Sequence, residues 1–211
     1  MKNTTLVVST LVGFATLGMA SVASGAVTVL NSQFAWNAYT AIQGATVATE
    51  TFESFTGYHS SETGTAGGTT WIASASFGEI TFQTLGTQKV ISTAQGGRTL
   101  KFTFAPGVQG IGGEMFGTNA AFAVVPAEIT VTLADGTSYV NDQTSASDFV
   151  GFYSNGAAIA SISVSTSTEG TYATVDNLYF ATVPTPGALA LTSLAGVVGG
   201  RSRRRTHSAA I

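Results

Sequence analysis

The chain has 211 residues and is sparsely charged, with eight Lys or Arg side chains, eleven Asp or Glu side chains and a net charge of −3. It contains no cysteine, which excludes disulfide bonds, thiol catalysis, zinc–thiolate sites and iron–sulfur clusters. Residues 27–183 hold three basic and eleven acidic side chains, a net charge of −8. Such a surface repels nucleic acid and anionic lipid, so we expect no nucleic-acid partner.

The N-terminus predicts an export signal. Lys2 is the sole early charge, residues 6–19 are mostly apolar, and Ser24-Gly25-Ala26 offers the small residues that signal peptidase requires. We therefore expect residues 1–26 to form a signal helix that is removed after the last of these small residues, with Ala23 as the second choice. The alternative, an N-terminal membrane anchor, needs a longer apolar run.

Residues 27–182 show the alternation of apolar and polar side chains that predicts half-buried β-strands. In residues 100–104, for example, Leu100, Phe102 and Phe104 alternate with polar side chains. The dipeptide Asp135-Gly136 predicts a tight hairpin turn. The predicted strands cover residues 27–30, 34–42, 46–52, 70–77, 79–85, 89–93, 100–104, 108–116, 129–133, 149–153, 162–164 and 172–182.

This arrangement predicts an all-β fold without a helix in the body of the chain. Roughly ten to twelve short strands separated by glycine-rich turns are typical of an antiparallel β-sandwich, and we expect a jelly-roll-like arrangement of two Greek keys. Two stretches are irregular. Residues 57–70 are predicted to form a long polar loop, and the five glycines of residues 107–117 indicate either a bulge or the close approach of another backbone.

The order of the strand motifs resembles that of a known class of exported domain. The motifs are Glu50-Thr-Phe-Glu-Ser-Phe55, Gly110-Ile-Gly-Gly-Glu-Met-Phe-Gly117, Ile129-Thr-Val-Thr-Leu-Ala-Asp-Gly136, Phe149-Val-Gly-Phe-Tyr-Ser154, Ile159-Ala-Ser-Ile-Ser-Val164 and Ala173-Thr-Val-Asp-Asn-Leu-Tyr-Phe180. This order is similar to that of the jelly-roll ectodomains that commonly precede C-terminal sorting tails. Those domains resemble carbohydrate-binding modules in fold. The resemblance covers most of residues 46–182 and implies a fold rather than a catalytic activity.

The same resemblance implies a candidate calcium site. In jelly rolls of this kind the first and last strands often lie side by side, and acidic residues there can coordinate a structural Ca²⁺. Glu53 and Asp176 would supply carboxylates, Asn177 an amide oxygen and Glu50 a second carboxylate, which are the hard oxygen ligands that Ca²⁺ prefers. The alternative is that Asp176 accepts backbone hydrogen bonds at a strand end while Glu53 is exposed to solvent.

Aromatic side chains provide candidate sugar platforms, because an exposed ring can stack on the C–H face of a pyranose. Trp71 and Tyr58 lie at the two ends of the predicted polar loop and are the preferred candidates. The alternative is that both tryptophans fill the core of the sandwich, as large aromatic side chains of small β-domains usually do. The remaining candidates are Trp36, Tyr153, Tyr172 and Tyr179.

The sequence does not favour an enzyme. The acidic residues are scattered, and their spacing does not single out a pair for glycoside hydrolysis. His59 is the sole histidine between the two terminal segments and lies in the predicted polar loop without a Gly-x-Ser-x-Gly motif. We therefore expect a non-enzymatic protein.

The C-terminus carries three parts in a fixed order. Val183-Pro184-Thr185-Pro186-Gly187 ends the last strand, residues 187–200 lack charge, and Arg201, Arg203, Arg204 and Arg205 form a basic cluster. The uncharged part falls short of the ~20 residues of a stable membrane span. These parts resemble the PEP-CTERM sorting signal of bacterial exported proteins, with Thr185 standing where that family has Glu. The resemblance implies a short apolar helix that anchors the chain transiently, and processing by a membrane enzyme of the exosortase type.

Three segments follow from these features: a signal peptide at 1–26, a β-sandwich ectodomain at 27–182 and a sorting tail at 183–211. The chain is expected at the cell surface or outside the cell. The first hypothesis is a non-enzymatic protein of the cell envelope, biofilm or extracellular matrix. The alternative hypothesis is a carbohydrate-binding module that recognises an extracellular polysaccharide.

Overall fold

The computed structural model describes residues 27–143, 149–166 and 168–183. Within them the chain forms one helix and fifteen strands. In chain order these are β1 (Val27–Leu30), α1 (Gln33–Ile42), β2 (Thr46–Glu50), β3 (Gly57–His59), β4 (Ser61–Ala66), β5 (Thr69–Ala75), β6 (Ile80–Leu85), β7 (Gln88–Thr93), β8 (Leu100–Phe104), β9 (Val108–Asn119), β10 (Val124–Val125), β11 (Ala127–Leu133), β12 (Ser138–Gln143), β13 (Phe149–Ser154), β14 (Ile159–Ser165) and β15 (Thr171–Thr182).

The strands form two antiparallel sheets, so the predicted all-β sandwich is confirmed. The nine-stranded sheet has the order β1-β13-β9-β15-β7-β6-β3, with β10 also paired to β9 and β2 also paired to β15. The six-stranded sheet has the order β12-β11-β14-β8-β5-β4. The predicted signal helix and C-terminal apolar helix fall outside the described residues.

The core lies between the two sheets and is built from the side chains whose alternation predicted the strands. Leu100, Phe102, Ile129 and Val131 are completely buried there. Burial of one such side chain contributes about 1.5–3 kcal/mol to stability. The hairpin predicted at Asp135-Gly136 is also confirmed, since it joins β11 to β12 and Gly136 has a φ of 87°.

The prediction of a strand at residues 34–42 was wrong, because this segment is helix α1. Ser32 caps the helix by accepting a hydrogen bond from the backbone N–H of Ala35. Trp36 and Thr40 are four residues apart and both are buried, so the spacing of the buried positions is helical rather than alternating. Gly44, at a φ of 65°, ends the helical segment.

The prediction of a polar loop at residues 57–70 was also wrong, because the segment forms β3 and β4 and leads into β5. The inward positions of β4 are Gly64 and Ala66, which are too small to give a visible apolar pattern. A Cβ atom at Gly64 would overlap the ring of Trp71 on β5. The indole therefore fills the space that larger side chains on β4 would otherwise occupy.

Strand β15 connects two parts of the nine-stranded sheet. One edge pairs with β9, while the other edge pairs with β2 through residues 178–182 and with β7 through residues 174–175. The register to β9 shifts between Asp176 and Leu178, and Asn177 has a φ of 47°. This β-bulge lets both Val175 and Leu178 point into the core.

The bulge also explains why β9 has a glycine at position 113. A Cβ atom at Gly113 would lie 2.5 Å from the carbonyl oxygen of Asn177, so a larger residue there would collide with the bulged backbone. The close backbone approach predicted within residues 107–117 is therefore confirmed at this position.

Candidate functional site

The outer face of the nine-stranded sheet, which points away from the six-stranded sheet, has two different halves. Side chains alternate along each strand, so the outer face carries the residues that do not enter the core. Helix α1 lies on the half formed with β1 and β13. We call this the covered half. The other half, formed by β3, β6, β7 and the adjoining parts of β15 and β9, carries an open groove.

The covered half is packed around Trp36 of α1, whose exposed fraction is 0%. Its ring centroid lies 6.0 Å from that of Phe149 and 6.0 Å from that of Tyr179. A Cβ atom at Gly151 would overlap the indole, and a Cβ atom at Gly112 would lie 3.2 Å from it. The indole therefore occupies the space that Gly151 leaves free, while the Phe149 ring, 2.5 Å from a Cβ atom at Gly112, fills most of the space at that glycine.

The open groove is our name for two depressions on the same sheet face. The first, the aromatic end, has a volume of about 210 Å³, and the second, the acidic end, has a volume of about 430 Å³. The aromatic end is lined mainly by Tyr58, Gln83, Ser92, Thr118, Asn119, Phe122 and Tyr172. The acidic end is lined by Leu85, Gly86, Gln88, Glu114, Phe116, Val124, Asp176 and Asn177.

The strand register shows that the two ends share one surface. Tyr172 and Thr118 are direct cross-strand partners at the aromatic end, and Asp176 and Glu114 are direct partners at the acidic end. Residues two positions apart on a strand lie on the same face, about 6.6–6.8 Å apart. Tyr172 and Asp176 are four positions apart, so the two ends are separated by roughly 13 Å along β15.

Two aromatic side chains of the aromatic end are exposed. Tyr58 on β3 is 64% exposed, and Phe122 is 54% exposed. The side chain of Asn119 accepts hydrogen bonds from the backbone N–H groups of Ala121 and Ala123, which shapes the turn that carries Phe122. Phe122 has a φ of 58°, a conformation that costs free energy for a residue with a side chain.

Three hydroxyl groups on neighbouring strands are hydrogen-bonded to one another at the aromatic end. Ser92 Oγ lies 2.9 Å from Thr174 Oγ1, which lies 3.2 Å from Thr118 Oγ1. Ser92 also donates to the carbonyl oxygen of Ala173. These three side chains are buried and form a cross-strand row of hydroxyls on β7, β15 and β9, of which Ser92 and Thr118 line the aromatic end.

The acidic end places two carboxyl groups opposite each other. Burial raises the pKa of Glu114, the nearby charge of Asp176 raises it further, and hydrogen bonds from its own backbone N–H and from Asn177 partly offset the increase. Burial likewise raises the pKa of Asp176, with a further increase from the charge of Glu53. Asp176 is 8% exposed, and the Oε2 atom of Glu114 is buried without a hydrogen-bond partner among the described residues.

The basic side chains of the described residues lie outside the lining of the open groove. Lys89 donates to the carbonyl oxygen of Phe55, and the Arg98 guanidinium lies 5.2 Å from the ring centroid of Phe77. Lys101 lies on β8 of the six-stranded sheet. The carboxylates at the acidic end therefore have no lysine or arginine beside them in the groove lining.

The structure brings some of the predicted calcium ligands together. Glu53 and Asp176 lie close enough for their charges to interact, and Asn177 follows in the bulge. Glu53, however, accepts a hydrogen bond from the backbone N–H of Lys89. Within residues 27–143, 149–166 and 168–183, no group of three or more His, Cys, Asp or Glu side chains is placed to hold a metal ion. These residues do not form a complete ligand set, so we assign no chemistry to calcium.

Glu50, predicted as a further calcium ligand, has both carboxylate oxygens in hydrogen bonds within the protein, and its role as a ligand stays a prediction. One oxygen accepts from the backbone N–H of Phe52, and the other accepts from the indole N–H of Trp71 at 3.2 Å. Trp71 itself is 0% exposed, so its predicted role as a sugar platform was wrong. Its ring packs against Phe52 and Phe55 between the sheets.

The other aromatic candidates divide between the two halves of the outer face. Trp36, Tyr153 and Tyr179 pack with α1 on the covered half. Tyr58 and Tyr172 line the open groove. Sequence reasoning missed Phe122, which stands in no motif, and Glu114, which lies in the strand motif 110–117 without a feature that marks it as a site residue. The exposed turn 119–123 was the available signal for Phe122.

His59 is engaged in local contacts. Its Nδ1 lies 3.0 Å from a carboxylate oxygen of Glu62, and its Nε2 lies 2.8 Å from the carbonyl oxygen of Thr56. The imidazole also packs edge-on against Phe82. These contacts fix the connection between β3 and β4 and lie apart from the lining of the open groove.

The predicted sorting motif falls almost entirely outside the described residues. Val183 follows β15 and is 38% exposed. Residues 184–211, which include Pro184, Thr185, Pro186, Gly187 and the arginine cluster, are not described. Among the residues that are described, no helix has the length and apolar character required to cross a membrane.

Comparisons with known proteins place few limits on the function. No protein-family model and no curated protein matches the chain. A similar solved structure is the solution structure of CtCBM11, a carbohydrate-binding module, with 14% sequence identity and a TM-score of 0.33. The alignment covers 65% of this chain and 95% of the module. A likeness this weak carries no argument about the ligand.

Proposed function

We propose that the chain is an exported, non-enzymatic surface protein whose jelly-roll-like sandwich binds an extracellular polysaccharide through the open groove. The observation that carries this proposal is the exposure of two aromatic side chains, Tyr58 and Phe122, in the lining of one depression. Exposed rings can stack on sugar C–H faces, and polar side chains of the same lining, such as Gln83, can orient the sugar by hydrogen bonding. An open groove also leaves room for the continuing ends of a polymer.

The turn at residues 119–123 supports a binding role for Phe122. An aromatic side chain at positive φ costs free energy and is retained where the surrounding structure enforces it. Here the Asn119 side chain enforces a turn that leaves the ring exposed next to the groove. Strained residues of this kind cluster at ligand-binding sites.

The test is a glycan-array screen of the full chain, followed by titration of the strongest glycan. Tyr58→Ala and Phe122→Ala should each weaken binding about tenfold, because aromatic anchors at binding sites typically contribute more than 1 kcal/mol. Phe34→Ala is the matched control, since Phe34 is 85% exposed on α1 and lies outside the groove. Loss of affinity in the Phe34 variant equal to that in the groove variants would contradict the proposal.

The proposed export and sorting have a separate test. Protein recovered from the native cell surface should lack residues 1–26 and the residues that follow Pro184-Thr185-Pro186. Intact-mass measurement detects both changes. A mature species that retains Arg201 and Arg205 would refute processing at the tail and favour a simple membrane anchor.

The calcium hypothesis stays a prediction with its own test. An ion that binds the folded chain alone would stabilise it by about 2.7 kcal/mol at a hundredfold excess over Kd. A chelator should then lower the melting temperature of the wild type and leave that of Asp176→Ala unchanged. Identical melting curves of the wild type with and without chelator would remove calcium from the proposal.

A further inference from the structure

Helix α1 turns apolar side chains toward solvent as well as toward the sheet. Trp36 and Thr40 are buried beneath the helix, whereas Phe34 is 85% exposed and Ile42 is 80% exposed. Ala38 is exposed between the last two, so three apolar side chains follow one another at four-residue spacing along one side of the helix. We call this row the outer stripe.

The composition of α1 is that of a helix that is covered on both sides. Helices at a protein surface carry charged side chains on the side that faces solvent, and a helix that is apolar all round is buried. The ten residues of α1 include no charged side chain, and its outward polar groups are the amides of Gln33 and Asn37. Covering the outer stripe would remove the Phe34 ring and the Ile42 side chain from water, which is favourable.

The chain leaves the described structure at one end of the outer stripe. Thr182, the last residue of β15, pairs with Thr46, which follows the last residue of α1 by four positions. The backbone N–H of Ala45 donates to the carbonyl oxygen of Thr40, which holds this connection against the last turn of the helix. The next residue along the chain, 183, therefore lies near the Ile42 end of the outer stripe.

The segment that follows has the length and composition to cover the outer stripe. Residues 184–186 are Pro-Thr-Pro, and residues 187–200 are fourteen residues without a charge. As the short apolar helix that the resemblance to a sorting signal implies, those fourteen residues would be about 21 Å long, compared with about 15 Å for α1. The prolines and Gly187 favour the turn that this segment needs in order to run back along α1.

We propose that residues 187–200 pack against the outer stripe in the full-length chain, antiparallel to α1, from the Ile42 end toward Phe34. The four arginines of residues 201–205 support this arrangement, because residues 27–183 carry a net charge of −8 and attract them. A lipid surface fits the outer stripe less well, since interfacial helices are rich in Lys and Arg and α1 has neither. The ectodomain thus shields the apolar part of its own tail.

The experiment is thiol cross-linking, which is specific here because the chain has no cysteine of its own. Asn37→Cys places a thiol beside the outer stripe, and Ser193→Cys places one in the middle of the tail segment. In the full-length chain without detergent, a short bifunctional maleimide should join the two thiols within one molecule, at a rate that dilution does not change. Phe34→Ser combined with Ile42→Ser should lower this rate about tenfold, because two large apolar side chains are no longer buried by the contact.

Two controls separate docking from random collision and from general changes at the surface. Lys101 is exposed on β8 of the six-stranded sheet, on the other side of the sandwich. Lys101→Cys paired with Ser193→Cys should therefore react about tenfold more slowly, at the effective concentration of an undocked tether. Val124→Ser changes a 43% exposed side chain on β10 and should leave the rate of the Asn37 pair unchanged. Far-UV circular dichroism confirms that each variant is folded.

Three outcomes would overturn the inference. Equal rates for the Asn37 and Lys101 pairs would show that the tail does not dock. Cross-links between molecules that disappear on dilution would assign the outer stripe to a second copy of the chain. Binding to phosphatidylcholine vesicles that Phe34→Ser abolishes, without a cross-link in solution, would assign it to a lipid surface. None of these results affects glycan binding, which the groove variants test separately.

Discussion

The covered half and the open groove belong to the same sheet face, yet they are built from different side chains. Under α1 the sheet presents Gly112 and Gly151, and the rings of Trp36 and Phe149 fill the space above them. In the groove the lining instead includes polar side chains such as Gln83, Thr118 and Asn119. A sheet surface that packs against a helix must leave room for the side chains of the helix. A sheet surface that faces solvent instead carries polar side chains.

Strand β15 crosses the boundary between these halves, and the bulge at Asn177 marks that boundary. On one side of the bulge, the outward residues Tyr172 and Asp176 line the groove. On the other side, Tyr179 and Ala181 pack with α1. Because the bulge restores the inward direction of Leu178, the core remains continuous while the outer face changes its character.

The largest expected effect tests the packing of the covered half. Trp36→Ala should lower the free energy of unfolding by about 3–5 kcal/mol, because it removes a fully buried aromatic ring and leaves a cavity. Tyr58→Ala, in the open groove, should change stability by no more than about 0.5 kcal/mol. Urea unfolding monitored by circular dichroism measures both values.

Similar losses of stability in these two variants would contradict the view that the covered half is part of the packing while the groove side chains are not. In that case Tyr58 would have a structural role, and any loss of glycan binding in Tyr58→Ala would have to be read as a folding defect.

The second prediction concerns the fit between the helix and the sheet. Gly151→Ala should destabilise the fold by about 1–3 kcal/mol, since the added methyl group would overlap the Trp36 indole. The same substitution in a Trp36→Ala background should cost less, because the colliding ring is absent. A double-mutant cycle on the free energies of unfolding measures this coupling, and strictly additive losses would argue against it.

The third prediction concerns the cost of exposing Phe122. At a φ of 58°, Phe122→Gly should be more stable than Phe122→Ala by about 1 kcal/mol, because glycine adopts this conformation without strain. Both variants should lose glycan affinity to a similar degree, since both lack the ring. Thermal unfolding and titration of the same samples measure the two properties. Equal stability of the two variants would show that the turn does not enforce the strained conformation.

The sequence predicted the sandwich because inward residues such as Phe102 and Val131 alternate clearly with polar neighbours. It failed where the inward residues were small. Gly64 and Ala66 left β4 without an apolar pattern, although the Trp71 ring supplies the missing volume from the next strand. The sequence does not reveal helix α1, because the helix has ten residues and only two buried positions, Trp36 and Thr40, of which the second is polar.

The sequence also predicts the candidate site only in part. Tyr58, Tyr172 and Asp176 were recognised by residue type, and the structure places them along one groove. Glu114 was missed because its importance depends on the β9–β15 register, which pairs it with Asp176. That register includes a bulge, and no local pattern in the sequence determines where a bulge will occur.

The smallest expected effect concerns the pH dependence of the groove. The pKa of Glu114 is raised above its ordinary value of 4.5, chiefly by burial, so the folded chain holds this proton more tightly than the unfolded chain does. Its stabilising contribution is complete below pH 4.5 and is lost as the pH rises through the raised pKa. Glu114→Gln should therefore match the wild type in acid and exceed its stability at neutral pH by less than about 1 kcal/mol, since solvent screens a partly exposed carboxylate. Unfolding free energies measured from pH 4 to pH 8 test this, with Glu128→Gln as the charge-matched control. A gain in Glu128→Gln as large as that in Glu114→Gln would trace the effect to net charge, whereas a gain confined to Glu114→Gln would locate the repulsion in the acidic end of the open groove.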